Sequence, residues 1–480
     1  MKIGSELRAK GMELTVSEIF KHRTLYEMAK VIKEKDAPSS EVVPLNLTPF
    51  SLLGVDDVKA FIAENVQPML FQEDLTVLDV LPTRPLQQVA VKGTTELPRY
   101  SARYELFHLS GPVDTARLFQ SCQEVVARNE ILRTVFVEAA GKCYGVVLEA
   151  LTVAIDQYVI AGDLNSFVHK LCDLDIQTRM PLGSSFVKFF FVRGEGDRSC
   201  LIIRISHAQY DEICLARFLR QLAALYDGQP TPNSAPFSSF VYHAVQKGIP
   251  QSIPYWRGLL QGSALTVLRP NLPLTSKTPA ALTHTVDIAA RLKDITIATL
   301  PTAAWALCLA RRLALRDVVF GEVVSGRNID LPNADAVMGP TWQYVPVRVK
   351  FEEGWTGLDL LEYVQYQHIA SAQHECMGLT EIVRDCTDWP TTVDWFDSVV
   401  HQDVFHVEEL MFGAADCRLE TVYPHLEPLR EWKVQAFVKG DSLTLEIVTF
   451  EDWIGVAEEL LDELESIMTA LVKRPGELLF

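Results

Sequence analysis

Residues 201–211 have the sequence Leu-Ile-Ile-Arg-Ile-Ser-His-Ala-Gln-Tyr-Asp, an apolar run that ends on a histidine and is followed by an aspartate. The apolar run is typical of a buried strand, and Asp211 is placed to cap an amphipathic helix over residues 211–226. A strand that ends beside His207 places the imidazole in a cleft or at the surface, where it can accept a proton near neutral pH. The spacing alone leaves open the plainer interpretation, a capping aspartate beside an incidental histidine.

Strands and helices alternate on both sides of this segment, as expected for a mixed α/β protein. Apolar runs predict strands at residues 102–109, 134–137, 142–148, 185–192, 201–205, 283–288, 317–324, 344–349, 434–438 and 443–449. Helical spacing of apolar residues predicts helices at 114–129, 211–226, 296–312, 358–374 and 454–472. Residues 229–254 are rich in proline and serine, which is typical of a boundary between compact units. The pattern therefore predicts two α/β lobes, residues 75–245 and residues 246–480.

The N-terminal segment has a helical pattern of its own. Helix starts are predicted at Thr15 and Thr24, because each hydroxyl can satisfy free backbone N–H groups. Residues 1–35 are too few to bury a core, so we expect them to be the end of a further domain. Residues 36–74 are expected to be a linker and leading segment, since residues 36–41 are polar and contain a proline.

Composition restricts the classes of function. The chain has 480 residues, and its 62 acidic residues against 44 basic ones give a net charge of −18. Such a surface repels phosphate backbones and anionic lipid, so neither nucleic acid nor a membrane is an expected partner. The nine cysteines form no C-x-x-C pair, and residues 1–6 have no secretory h-region, so no secretory leader is expected. We expect reduced thiols, no metal site and a cytoplasmic location.

The segment around His207 resembles the His-His-x-x-x-Asp-Gly signature of condensation domains in nonribosomal peptide synthetases. Ser206 replaces the first histidine, and this variant is similar to the terminal condensation-like domains of fungal synthetases, in particular the fumiquinazoline type. Further segments resemble the other motifs of the family in the same order: residues 79–88, 128–136, 255–257, 319–327, 339–349 and 396–402. The resemblance covers about residues 75–475.

The resemblance implies a fold and an activity. The fold is that of chloramphenicol acetyltransferase, an α/β V-shaped pseudo-dimer of two lobes with the histidine in a tunnel between them. Residues 1–35 resemble the C-terminal helices of a peptidyl carrier domain, a short helical remnant without the phosphopantetheine-bearing serine. The implied reaction is release of a carrier-bound linear peptidyl thioester by intramolecular amide formation, which is macrocyclisation. No cofactor is permanently bound, and the substrate arrives on the 4'-phosphopantetheine of an upstream carrier domain, with other synthetase modules acting in cis.

Roles for the signature residues also follow from the resemblance. His207 is expected to act as a general base or to position the amine and stabilise developing charge. Asp211 matches an aspartate that pairs with the arginine of the Ser-Gly-Arg motif, here Arg327, so we expect a structural role for both and for Ser206. Direct proton transfer by Asp211 is the alternative. Glu212 stands where the family has glycine, and it can contact substrate, narrow the acceptor-side opening or project into solvent.

Other motif residues are candidates for the tunnel. Trp342, Gln343 and Ser398 are expected to line it or to orient the carbonyl, and the alternative is that they pack at the lobe interface. His401 is expected near the surface or behind the site, and no Ser–His–Asp triad or metal is proposed.

Two alternatives to macrocyclisation stay open from the sequence. The first is intermolecular condensation of the thioester with an amine or alcohol acceptor. The second is a noncatalytic docking domain of the same fold. For carrier docking, the basic residues Arg84 and Arg103 are candidates.

Overall fold

The computed structural model describes residues 7, 12–14, 24–34, 46–72, 74–96, 101–231, 233–276, 278–403, 410–423 and 432–480. The predicted helix start at Thr24 is confirmed, because its hydroxyl accepts from the Glu27 N–H and the Glu27 carboxylate accepts from the Thr24 N–H. The predicted start at Thr15 and the linker at residues 36–41 lie outside the described residues.

Helices and strands alternate along the described chain. The helices are α1 Leu25–Val31, α2 Val58–Phe61, α3 Pro85–Glu96, α4 Thr115–Arg128, α5 Leu164–Asp175, α6 Glu212–Asp227, α7 Phe237–His243, α8 Ile249–Leu260, α9 Thr299–Leu313, α10 Gly357–Ser371, α11 Leu379–Cys386 and α12 Ile454–Lys473. The strands of the first half are β1 Met12–Glu13, β2 Lys33–Glu34, β3 Val77–Pro82, β4 Ala102–Ser110, β5 Thr134–Ala139, β6 Lys142–Leu148, β7 Ile155–Val159, β8 Val187–Arg193, β9 Arg198–Ser206 and β10 Ala235–Pro236. Those of the second half are β11 Pro279–Asp287, β12 Asp317–Val324, β13 Val337–Met338, β14 Gln343–Lys350, β15 Ser398–Asp403, β16 Leu410–Phe412, β17 Ala415–Val422, β18 Trp432–Lys439 and β19 Ser442–Phe450.

The first lobe is built on a six-stranded sheet of order β16-β17-β4-β9-β8-β7, beside a three-stranded sheet of order β3-β6-β5. Strand β9 contains the apolar run at residues 201–205. The run is nearly continuous because helices cover both faces of the strand. Ile203 belongs to the cluster that includes buried residues of α4 and α6, whereas Ile202 belongs to the cluster that includes α5. A strand buried on both faces loses the polar alternation of a half-exposed one.

The second lobe has a six-stranded sheet of order β11-β19-β18-β15-β12-β14, which is parallel only at β12–β15 and β15–β18. Helix α9 is buried along most of its length, against α12 and the sheet. Its apolar run is thus that of a core helix, and none of the helices in the described ranges is long and apolar enough to cross a bilayer. The predicted mixed α/β fold of two lobes is confirmed.

The second half of the chain contributes strands to the sheet of the first lobe, which the predicted division at residue 245 does not include. Strands β16 and β17 come from the second half of the chain, yet β17 pairs with β4 of the first lobe, with Thr421 opposite Glu105. We call residues 410–422 the crossover hairpin. Strands β10 and β13 form a second, two-residue contact of this kind. An apolar pattern identifies a strand but not its sheet, because strand pairing is a long-range choice.

Candidate functional site

His207 lies in the turn between β9 and α6 and is fixed at both its backbone and its ring. The backbone N–H donates to the Ser101 carbonyl at 2.8 Å. The ring Nδ1 is 2.6 Å from the carbonyl oxygen of Tyr210. Because a carbonyl only accepts, Nδ1 is assigned the hydrogen, and in the neutral ring Nε2 carries the lone pair. The turn therefore selects the tautomer whose Nε2 can accept a proton.

Aromatic rings from both lobes contact the imidazole. Tyr210 of the first lobe lies 4.7 Å from it, centroid to centroid, at 32°. Trp342, which precedes β14 of the second lobe, stacks on it at 4.5 Å and 9°. His207 is only 6% exposed but lies where the two lobes meet. Stacking restricts rotation of the ring about χ2 and so fixes the direction of Nε2.

Asp211 turns away from the imidazole and into the lobe interface. Its Oδ1 accepts from the Cys214 N–H at 2.9 Å, so it caps α6 as predicted. Both carboxylate oxygens also accept from the Arg327 guanidinium, at 2.6 and 3.1 Å, and the Thr341 N–H donates at 3.0 Å. Burial raises the pKa of Asp211, but Arg327 and these N–H groups outweigh it, and the pKa ends below its usual value.

Arg327 lies in the loop after β12 and is held in turn by carbonyls in β13 and just after it. Its guanidinium donates to the carbonyls of Val337 and Gly339. Gly326 has a φ of +69°, and a Cβ there would lie 1.9 Å from the Thr341 carbonyl oxygen, so only glycine fits.

A carboxylate supports this loop from the far side. Glu375 accepts from the Gly326 N–H at 3.2 Å and from the Asn328 amide at 2.9 and 3.1 Å, on either side of Arg327. Burial raises the pKa of Glu375 to about 7. Sequence reasoning missed this residue, because no local pattern marks a helix-flanking glutamate as a support for a loop 49 residues away.

Ser206 faces the interior of the first lobe. Its hydroxyl lies 2.6 Å from the Thr94 hydroxyl of α3 and accepts from the Ala208 N–H at 3.1 Å. The Gln87 amide, also of α3, donates to the Ala208 carbonyl at 2.9 Å. Ser206 therefore joins the histidine turn to α3.

The Glu212 carboxylate pairs with an arginine other than the partner of Asp211. It accepts two hydrogen bonds from the Arg103 guanidinium, at 2.7 and 2.9 Å. Arg103 and Arg84, the candidate docking cations, are both internal, with side chains 13% and 4% exposed. Arg84 ties the lobes through Glu381 at 2.6 and 2.7 Å. Neither arginine is a surface contact for a carrier.

The remaining candidates lie in different environments. Gln343 is fully buried, and its carboxamide has no hydrogen-bond partner among the described residues. Ser398 accepts from the Trp305 indole at 3.0 Å in the core of the second lobe, as the packing alternative expects. His401 is half-buried on β15. In the described ranges, no cluster of three or more His, Cys, Asp and Glu side chains is placed to hold a metal.

Residues 99–475 match the profile of the family described as "Condensation domain". Over all 480 residues the chain is 59% identical to nonribosomal peptide synthetase 1 of Ajellomyces capsulatus, and it is 49% identical to nonribosomal peptide synthetase SIDD of Beauveria bassiana. It covers 26% and 28% of these relatives, about a quarter of their length. A crystal structure described as CT matches with a TM-score of 0.79 at 29% identity, covering 90% of this chain and 99% of that one.

Proposed function

The chain belongs to the condensation-domain family, the acyl-transferring enzyme domains of nonribosomal peptide synthetases, and we propose that it releases a carrier-bound linear peptide by intramolecular amide formation. We read CT as the abbreviation of a terminal condensation-like domain, and this likeness supports release over chain elongation. The replacement of the first signature histidine by Ser206 and of the glycine by Glu212 supports the same choice. Kinship with fumiquinazoline-type synthetases is part of the proposal.

One observation carries the proposal: the Tyr210 carbonyl holds the hydrogen of the His207 ring on Nδ1, at 2.6 Å. In this tautomer Nε2 is the ring nitrogen that can accept the proton of an attacking amine. The ring lies where the two lobes meet and contacts Trp342. We propose that the peptide reaches it along this interface.

In the proposed reaction the thioester carbonyl is attacked by an amine of the same peptide. The nitrogen–carbon bond forms, the carbon–sulfur bond breaks, and the amine proton passes to the leaving pantetheine thiol. As a general base, His207 carries that proton on Nε2; as a positioning group, it holds the amine and stabilises the developing charge. Folding the two peptide ends together in the interface raises their effective concentration, which favours the ring over an external acceptor.

Asp211 and Arg327 have no proton to exchange in this scheme. The carboxylate is saturated by hydrogen bonds and held ionised by the guanidinium, so it fixes the turn rather than acting on substrate. Trp342 and Gln343 are proposed to border the path of the peptide, and Ser398 is left to packing.

The substrate is proposed to arrive as a thioester on the 4'-phosphopantetheine of an upstream carrier domain, of which residues 1–35 are the C-terminal part. Other modules of a longer synthetase are proposed to build the peptide in cis. The greater length of the curated relatives supports this arrangement.

Mass spectrometry of a linear peptidyl-pantetheine thioester incubated with the chain tests the proposal. Macrocyclisation gives a product that is lighter than the substrate by the mass of the pantetheine thiol. Hydrolysis gives a linear acid that is heavier than this cyclic product by one water. A peptide with its amines acetylated is the matched control and must give no cyclic product. If an added amine or alcohol is incorporated instead, the intermolecular alternative is correct. If only hydrolysis at the uncatalysed rate is seen for a panel of peptides, the domain has a docking role.

A further inference from the structure

We propose that Arg103 is a positioning residue for His207 and that it makes the histidine turn depend on the docking of the crossover hairpin. This role rests on the proposed function only for its kinetic test. Arg103 lies on β4, opposite Ile205 at the end of β9. No sequence motif marks it, and its side chain is 13% exposed.

The Arg103 guanidinium joins three elements through its separate nitrogens. Its Nε donates to Glu105 on the same strand. One terminal nitrogen donates to both oxygens of Glu212, at the first position of α6. The other donates to the Thr421 hydroxyl on the crossover hairpin, at 3.3 Å. A planar fork can make these three contacts at once, whereas a lysine ammonium at one point cannot.

The contact with Glu212 acts on the histidine through two residues of backbone. Glu212 and Tyr210 flank Asp211, and Tyr210 provides both the carbonyl that accepts from His207 Nδ1 and a ring 4.7 Å from the imidazole. The phenol of Tyr210 is buried beside the same guanidinium: burial raises its pKa, and Arg103 acts in the opposite direction. Movement of Arg103 therefore loosens the part of the turn that follows His207 in the chain, which includes Tyr210.

The contact with Thr421 reaches the second half of the chain. The Thr421 hydroxyl accepts from Arg103 and donates its hydrogen to Glu105, at 3.0 and 3.2 Å. Glu105 has a fully buried side chain, and burial raises its pKa while Arg103 opposes the shift. The hydrogen bonds of the guanidinium are complete only when the hairpin is paired with β4. The histidine turn is thus coupled to a segment that the other half of the chain contributes.

Removing Arg103 alone leaves Glu105 buried without its cation, which can prevent folding. The main test therefore uses the double variant Arg103→Met with Glu105→Gln, which removes both charges together. Glu212→Gln and Thr421→Val are single variants that leave the Arg103–Glu105 pair in place. Arg291→Met is the matched control, since it breaks an ion pair of 2.9 Å with Asp441 in the second lobe.

The first measurement is turnover of a linear peptidyl-pantetheine thioester. For the double variant we expect kcat to fall about 10-fold to 100-fold, because a misplaced catalytic group reacts slowly, while KM stays within about twofold. Glu212→Gln and Thr421→Val should lower kcat by a smaller factor, and Arg291→Met should not change it. An unchanged kcat in the folded double variant overturns the proposal, as does an equal loss in Arg291→Met.

The second measurement needs no substrate. The emission of Trp342, taken as the difference between each protein and its Trp342→Phe counterpart, reports the stack on His207. At a temperature where all variants are folded, this emission should change in the double variant and in Glu212→Gln. A loss of global stability alone leaves the emission of the folded state unchanged. If no peptide is turned over by the wild type, the proposed function fails, and this emission still decides the role of Arg103. Identical emission in all folded variants overturns it.

Discussion

Asp211 and Glu212 are neighbours in sequence, yet their ion pairs differ in burial and in what they connect. The Asp211 side chain is 6% exposed and its partner Arg327 3%, and the pair joins the two lobes. The Glu212 side chain is 39% exposed, and its partner Arg103 belongs to the same lobe. One turn is therefore held twice, by a buried pair that joins the lobes and by a partly exposed pair within the first lobe.

The buried pair should dominate stability. In Arg327→Met the Asp211 carboxylate stays buried without its cation, and we expect a loss of about 3–5 kcal/mol in the free energy of unfolding. Urea denaturation of the two proteins measures the difference. Arg291→Met, which breaks a more exposed pair, should cost at most about 1 kcal/mol. A loss in Arg327→Met no larger than in this control would remove the distinction between the two kinds of pair.

Two buried carboxylates of this region should give opposite dependences on pH. The pKa of Asp211 is lowered, so its stabilisation is present above the unfolded value, about 3.9, and is lost as pH falls through the folded value. The pKa of Glu375 is raised to about 7, so the folded protein retains a proton that the unfolded chain releases at a pH of about 4.3. Its contribution to stability is therefore lost as pH rises from about 4.3 to 7.

The variant Glu375→Gln isolates this second dependence. Its urea midpoint should fall less than that of the wild type between about pH 5 and 7, because the neutral amide has no proton to lose. Parallel midpoint curves for the two proteins across that range would show that Glu375 does not bind the extra proton.

The aromatic contact across the lobes should have a moderate effect. Trp342→Leu removes the stack on His207, and since such contacts contribute about 0.5–1.5 kcal/mol, kcat for thioester turnover should fall about threefold to tenfold. Trp342→Phe keeps an aromatic face and should stay within about twofold. Equal activities of the leucine and phenylalanine variants would mean that the stack does not orient the ring.

The partly exposed pair of Glu212 and Arg103 should give the smallest change in stability. Glu212→Gln leaves Arg103 paired with Glu105, so we expect the free energy of unfolding to decrease by less than about 1 kcal/mol. Urea denaturation beside Arg327→Met measures both on one scale. A loss as large as that of Arg327→Met would mean that the two pairs stabilise the protein equally.

The same contrast separates what the sequence could predict from what it could not. Strand β9, the cap by Asp211 and helix α6 follow from local rules on apolar runs and helix starts, and the structure has all three. The Asp211–Arg327 pair required the family resemblance, because its partners are 116 residues apart.

The pairing of Glu212 with Arg103 had no signal, since neither spacing nor residue type identifies a partner 109 residues away. The crossover hairpin was missed for a similar reason. Residues 415–422 alternate apolar and polar side chains as a half-exposed strand does, but which sheet such a strand joins depends on long-range packing. Tyr210 acts through its backbone carbonyl, and a carbonyl leaves no trace in the residue type.

The central claim is that turnover depends on the His207 imidazole held between the lobes. The most direct measurement is the rate at which His207→Ala converts a linear peptidyl-pantetheine thioester, with a thermal melt to confirm folding. We expect the rate to fall about 10²-fold to 10⁴-fold while the melting temperature stays close to that of the wild type. A folded His207→Ala protein that turns over at the wild-type rate would contradict the account.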